Sequence, residues 1–308
     1  MSRVVTDPPV VILVSTFNGV PFLDQQLQSI VDQSYDNLSL IIRDDGSTDR
    51  TLQILAEFER TAARPVRIIR GSNRGAMASF FALIAEAPSD HLIMLSDQDD
   101  IWCRDKVARA VAHLGAPDRP PRLYCSRLKI VDRDLHEVRQ SPLWPRPPQF
   151  ENALVENLAT GCTIAFNSAL RDRVLAGGLP THAIMHDWWL YLVATAFGDA
   201  IYDPQPTIRY RMHGQNAVGL PVGRLDWFLA KIRRRLKERT LPKLQAQAAE
   251  FEAVFGAALT PENRAAIQLL RNAGGRFPDR IAFVRQTTVT RQFPSDTWAL
   301  KLMQLLEM

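Results

Sequence analysis

The chain has 308 residues, 46% hydrophobic and 23% charged, enough to bury one large core or a core with an appendage. Three scattered cysteines (Cys103, Cys125 and Cys162) exclude a disulfide framework or a paired-cysteine metal site and read as thiols of a reducing compartment. The net charge of +4 conceals a local excess. Residues 224–243 hold eight Lys or Arg against Asp226 and Glu238, which leaves the rest of the chain slightly negative, and nucleic acid is not an expected partner. Met1 to Pro9 lacks the charged-then-apolar layout of a signal peptide, and no stretch reaches the roughly 18 apolar residues of a membrane span. The expectation is a soluble cytoplasmic protein.

The first hundred residues alternate two kinds of pattern. Val10 to Ser15 is a continuous apolar run, as expected of a strand covered on both faces. Pro21 to Gln33 carries Phe22, Leu27, Ile30 and Val31 at helical spacing. Leu38 to Arg43 reads as a second strand. Thr51 to Phe58 reads as a helix with Ser47 or Asp49 as N-cap. Val66 to Arg70, Ala76 to Glu86 and His91 to Ser96 read as strand, helix and strand. This alternation implies parallel strands with helices on both faces. After Lys106 the pattern loosens. Leu123 to Cys125 and Cys162 to Asn167 read as strands around a Pro-rich loop, 142–148, a helix begins near Asp187, and Thr207 to Arg211 reads as another strand. Beyond a boundary near Gly219 to Gly223, the expected elements are a basic amphipathic helix, Leu225 to Leu241, then helices over Lys243–Phe255 and Pro261–Asn272, with one strand signal at Ile281 to Val284.

In open parallel sheets, ligands bind at the carboxyl ends of the strands. Four polar clusters fall there in turn: Ser15-Thr16-Phe17-Asn18, Asp44-Asp45-Gly46-Ser47, Gly71-Ser72-Asn73-Arg74-Gly75 and Ser96-Asp97-Gln98-Asp99-Asp100. No Gly-x-Gly-x-x-Gly follows the first strand, so the dinucleotide fingerprint is absent. Asp44 and Asp45 suit hydrogen bonds from a nucleobase or ribose, and equally a turn that caps a helix. Three carboxylates between Asp97 and Asp100 repel one another unless a cation sits among them, and Mg²⁺ or Mn²⁺ is the natural partner of such hard oxygen ligands.

These segments, with Thr160-Gly161-Cys162, His186-Asp187-Trp188-Trp189 and the run Tyr210-Arg211-Met212-His213-Gly214-Gln215-Asn216, resemble the family 2 glycosyltransferases of GT-A fold, most of all their rhamnosyltransferase-like members. The resemblance spans about residues 8 to 220, with the motifs in the family's order. It implies an α/β catalytic domain over 1–220, mostly parallel in its sheet, and a mainly helical extension over 221–308. It also implies roles. Thr16, Phe17, Asn18, Asp44, Asp45, Asn73, Arg74, Gly75 and Asp97 would hold a nucleotide-sugar donor, Asp99 and His213 a divalent cation, and Asp187 would be the general base. Such enzymes invert the anomeric centre in one displacement onto a cell-surface glycan or lipid-linked acceptor. By the same analogy the donor would be dTDP-L-rhamnose, with UDP-sugars as the nearest alternative.

Several residues carry a plainer reading beside the functional one. His213 also fits a satisfied structural histidine, and Asp187 also fits a helix cap. Trp102, Trp188 and Trp189 would stack on sugars or fill a core. Thr160, Gly161 and Arg211 would meet acceptor or diphosphate, although an arginine on a strand is as often simply exposed. The basic helix at Leu225 to Leu241 would lie on an anionic membrane surface or pack on the catalytic domain. Two rival classes remain. A nucleotidyltransferase would carry a Gly- and Lys-rich phosphate loop after the first strand, absent from Thr16 to Pro21. A non-catalytic glycan-binding scaffold would have lost Asp99, Asp187 or His213, all present.

Overall fold

The computed structural model describes residues 7–116, 119–213 and 240–306. The strands are β1 (Val10–Thr16), β2 (Leu38–Asp44), β3 (Val66–Arg70), β4 (Leu92–Ser96), β5 (Ile101–Trp102), β6 (Arg122–Val131), β7 (Glu137–Gln140), β8 (Ala165–Phe166) and β9 (Asp199–Arg211). They form one sheet in the order β3-β2-β1-β4-β8-β6-β9-β5, with β7 paired to β6. The sheet is mixed, with most of its paired length parallel. β1 to β4 run parallel, as does β6 with β9, whereas β8 is antiparallel to both β4 and β6.

Period-two alternation explains the continuous apolar runs. Val11 and Leu13 of β1 and Ile93 and Leu95 of β4 enter one hydrophobic cluster, while Val10, Ile12 and Val14 with Leu92 and Met94 enter the other. Helices α1 (Leu23–Val31), α2 (Thr51–Thr61) and α4 (Lys106–Leu114) cover the second face. The first is covered by α3 (Gly75–Glu86), α5 (Phe150–Ala153), α6 (Ser168–Ala176) and α7 (His186–Phe197).

The C-terminal part is helical: α8 (Thr240–Phe255), α9 (Pro261–Asn272), α10 (Phe277–Gln286) and α11 (Pro294–Leu306). The strand expected at Ile281 to Val284 is therefore a helix. A short apolar run does not fix its own period, and Pro278 in the first turn is a helix-start signal. These helices extend the first cluster, with Phe251 and Phe255 of α8 against Trp189 and Phe197 of α7 at centroid distances of 5.4–6.4 Å. Among the described residues no helix is long and apolar enough to cross a membrane. The expected boundary at Gly219 to Gly223 lies outside the described residues, as does the basic helix up to residue 239.

Phe251 touches Phe150, Trp189, Phe197 and Phe255 and is fully buried. Phe251→Ala should lower unfolding free energy by about 3–5 kcal/mol in denaturant titration. A loss below about 1 kcal/mol would show that α8 is not part of this core.

Candidate functional site

A cleft of about 670 Å³ opens at the carboxyl ends of β1 to β4. Phe17 and Asn18 reach it from β1, Asp45 from β2, Asn73 and Gly75 from β3, and Asp97, Gln98 and Asp99 from β4. The opposite wall is Thr160 and Gly161, the start of α7 (Met185 to Asp187), and Tyr210 and His213 at the end of β9.

Asp45 ties the first loops together. Its carboxylate pairs with Arg43 in the buried interior, and Oδ2 accepts the backbone N–H groups of Arg74 and Gly75, each at 2.9 Å. The turn after it requires Gly46, whose φ is +85° and whose missing Cβ would lie 3.0 Å from the Asn73 backbone nitrogen.

The acidic turn splits its three carboxylates. Asp100 points inward, fully buried, with Oδ1 accepting the Arg211 N–H at 3.0 Å. Asp97 and Asp99 face the cleft. Burial, reinforced by the Asp99 and Asp187 carboxylates, pushes the pKa of Asp97 up to about 7. Asp99 Oδ2 lies 2.8 Å from His213 Nε2, and the His213 ring stacks on Phe22 at 4.8 Å. Two ligands at right angles on an ion about 2.1 Å from each lie about 3 Å apart, so this pair fits a divalent cation. Its oxygen–nitrogen donor set suits Mn²⁺ better than Mg²⁺. Gln98, inside the motif but without an expected role, clamps Phe17 by accepting its N–H at 2.8 Å and donating to its carbonyl at 3.0 Å.

Asp187 sits in the first turn of α7, 8% exposed, on the wall facing this turn. Oδ2 accepts the Gly161 N–H at 3.0 Å, and Oδ1 lies 2.6 Å from the Trp188 nitrogen. Burial raises its pKa to about 6 despite these hydrogen bonds. A carboxylate so tuned can accept a proton near neutrality.

The geometry agrees with comparison to known proteins. Residues 11–178, more than half of the chain, match the domain "Glycosyl transferase family 2". The chain belongs to this glycosyltransferase family. It is 30% identical over 240 residues to the dTDP-rhamnosyl transferase RfbG of Shigella flexneri, covering 71% of this chain and 77% of that one. Its fold is that of TarS of S. aureus solved in complex with UDP-GlcNAc, with a TM-score of 0.54 at 14% identity over 97% of this chain and 88% of that one. The mannosyltransferase PcManGT of Pyrobaculum calidifontis, solved with GDP-Man and Mn²⁺, gives 0.53 at 18% identity over 98% and 86%.

In this glycosyltransferase several expected ligand residues have other work. Thr16 is buried and donates to Asp44 at 3.3 Å. Asp44 in turn accepts the Gly46 and Ser47 N–H groups at 3.2 and 3.0 Å and the Ser47 hydroxyl at 2.5 Å, so four protein donors hold it in the turn instead of the cleft. Ser47 is thereby no helix cap, while Asp49 does accept the Thr51 N–H at 3.0 Å. Trp102 and Trp189 are core residues, and Trp188, half-buried, donates its indole N–H to the Ala153 carbonyl at 2.6 Å; none of the three lines the cleft. Arg211 directs its guanidinium to the carbonyls of Asp99 and Arg133 and to Gln25, at 3.0, 2.6 and 2.6 Å, bracing the acidic turn from behind. Arg74 contributes its backbone to Asp45, and its side chain lies outside the cleft lining. Phe80 and Met185 line the cleft without having been singled out in the sequence, because apolar and aromatic residues look the same in sequence whether they wall a cleft or fill a core. Gly214, Gln215 and Asn216 lie outside the described residues.

Asp45→Ala leaves the Arg43 guanidinium buried without its carboxylate, which should cost about 3–5 kcal/mol of stability. The exposed pair Arg60–Glu57, broken by Glu57→Ala as a control, should contribute at most about 1 kcal/mol. Equal losses in the two variants, read by urea unfolding, would contradict a structural role for Asp45.

Proposed function

We propose that the chain is an inverting, cation-dependent glycosyltransferase that transfers L-rhamnose from dTDP-L-rhamnose onto a cell-surface glycan or lipid-linked acceptor. One observation carries this reading: the Asp99–His213 pair and the Asp187 carboxylate face one another across a single cleft. The similarity to a dTDP-rhamnosyl transferase over most of both chains supports the donor. The UDP-GlcNAc and GDP-Man bound to the two fold relatives keep other nucleotide sugars, UDP-sugars first, as the alternative.

The nucleotide would lie along the ends of β1 to β3, against Phe17, Asn18, Asp45, Asn73 and Gly75, with its sugar near Asp97. Asp99 and His213 would hold Mg²⁺ or Mn²⁺, whose Lewis acidity offsets charge on a departing diphosphate. Asp187 takes the proton of the acceptor hydroxyl as that oxygen attacks the anomeric carbon from the face opposite the diphosphate. The Gly161 N–H keeps Oδ2 oriented for this transfer. Acceptors presented at a membrane would suit the basic stretch 224–243, which gives the protein a peripheral place at the inner face.

Asp187→Asn should still bind dTDP, measured calorimetrically, while transfer falls by about 10²–10⁴-fold; full transfer would remove Asp187 as the base. Because Asp187 must be deprotonated to act, and its pKa is raised to about 6, turnover should climb as pH rises through about 6 and level off above it. A flat profile between pH 5 and 8 would contradict the assignment. His213→Ala should abolish the Mn²⁺-dependent gain in dTDP affinity while leaving metal-free affinity unchanged. An undiminished gain in the variant would place the ion elsewhere.

A further inference from the structure

His186 has no part in the chemistry described so far. It opens α7 directly before Asp187, is 4% exposed, and lines the cleft. Its ring stacks on Phe80, with centroids 4.3 Å apart and planes inclined by 24°. Neither Nδ1 nor Nε2 has a hydrogen-bond partner among the described residues. Burial holds the ring neutral by pulling its pKa down to about 3. An unpaired buried polar atom carries a desolvation cost, and a phenylalanine would stack on Phe80 without it. For packing alone, histidine is the poorer residue here.

The adjoining turn shows where a partner would enter. Gly161 has no side chain, and an atom at its Cβ position would lie 3.0 Å from His186 Nε2 and 3.6 Å from Asp187 Oδ2. The two polar atoms thus border the same bare side of Gly161, and no hydrogen bond joins them. A neutral imidazole offers one donor and one acceptor, which matches a hydroxyl and not a phosphate. Both nitrogens are closed to water, but the residue lines the cleft, so an acceptor hydroxyl would meet Nε2 on a small shift of the ring or of the Gly161 turn.

We propose that His186 is an acceptor-binding residue whose Nε2 hydrogen-bonds a hydroxyl of the acceptor sugar seated over Gly161, beside Asp187 Oδ2. The assignment rests on reading Asp187 as the group that receives the acceptor's proton. A buried group built to bond a substrate hydroxyl discriminates strongly against molecules that lack it, because it is then left unpaired. His186 would thereby select the acceptor, and donor affinity would not depend on it.

The test compares wild type, His186→Phe, His186→Gln and Asp187→Asn, with dTDP-L-rhamnose and Mn²⁺ as donor system and octyl glycosides of L-rhamnose and N-acetyl-D-glucosamine as acceptor probes. His186→Phe should unfold at the wild-type temperature or above and bind dTDP with wild-type affinity. It should keep the slow hydrolysis of the donor by water, yet show at least a tenfold rise in KM for the acceptor. His186→Gln, which retains an amide N–H, should recover most of that loss. An unchanged acceptor KM in His186→Phe, or a loss of dTDP affinity as large as the loss of transfer, would overturn the proposal. Full transfer by Asp187→Asn would instead remove the underlying reading of the base, so the two failures are told apart.

Discussion

Three carboxylates, Asp97, Asp99 and Asp187, face one partly dehydrated cleft, and their mutual repulsion is the constraint around which the molecule is organised. Asp45 escapes it by pairing with Arg43. Asp99 is met by the His213 imidazole. Asp97 and Asp187 have no cationic partner among the described residues, and both hold their protons more tightly than ordinary carboxyls. In a medium of low dielectric such an arrangement persists only where the fold fixes the groups and a positive charge or a proton is at hand. Under the proposed function, a metal-bound diphosphate and an acceptor hydroxyl would supply those two things.

The fixing is done by polar groups bonded to neighbouring loops. Asp44, Gln98 and Arg211 join the ends of β1, β2, β4 and β9 into one frame. Asp44 and Arg211 engage backbone as well as side-chain groups, and Gln98 holds both backbone groups of Phe17, so the loops are held at two or more points. Loops so held need little rearrangement to receive a donor, and ordering costs are met during folding instead of at binding.

The parallel half was readable because Val10 to Val14, Leu40 to Ile42 and Leu92 to Leu95 are apolar at consecutive positions, a pattern that two-sided burial explains. Placing the polar clusters on one rim followed from that. Which cluster members look outward did not follow. Thr16 and Phe17 are neighbours with opposite fates, one buried and one 43% exposed, and composition cannot separate them. Trp102 and Trp189 illustrate the same limit for aromatics. The antiparallel half was less legible. β8 has two residues, β9 is interrupted by register shifts, and α6 follows no apolar period, whereas α4 carries a plain helical stripe of Val107, Ala110 and Leu114 that the loosened surroundings obscured. The contact between Asp99 and His213 joins positions 114 residues apart, and nothing in local spacing reveals such a pairing. Only the family resemblance placed them together.

The aromatic stack of Trp189, Phe197, Phe251 and Phe255 reaches beyond packing. α7 presents Asp187 and His186 to the cleft at its first turn and rests its remaining length on α8. The C-terminal helices therefore act as a foundation for the wall that carries His186 and Asp187, whereas the wall at the ends of β1 to β3 stands on the sheet. Drift in residues 240–259 would tilt one wall of the cleft and leave the other still. Lineages could in this way retune what receives the sugar while keeping what delivers it, through substitutions that lie nowhere near the reacting atoms.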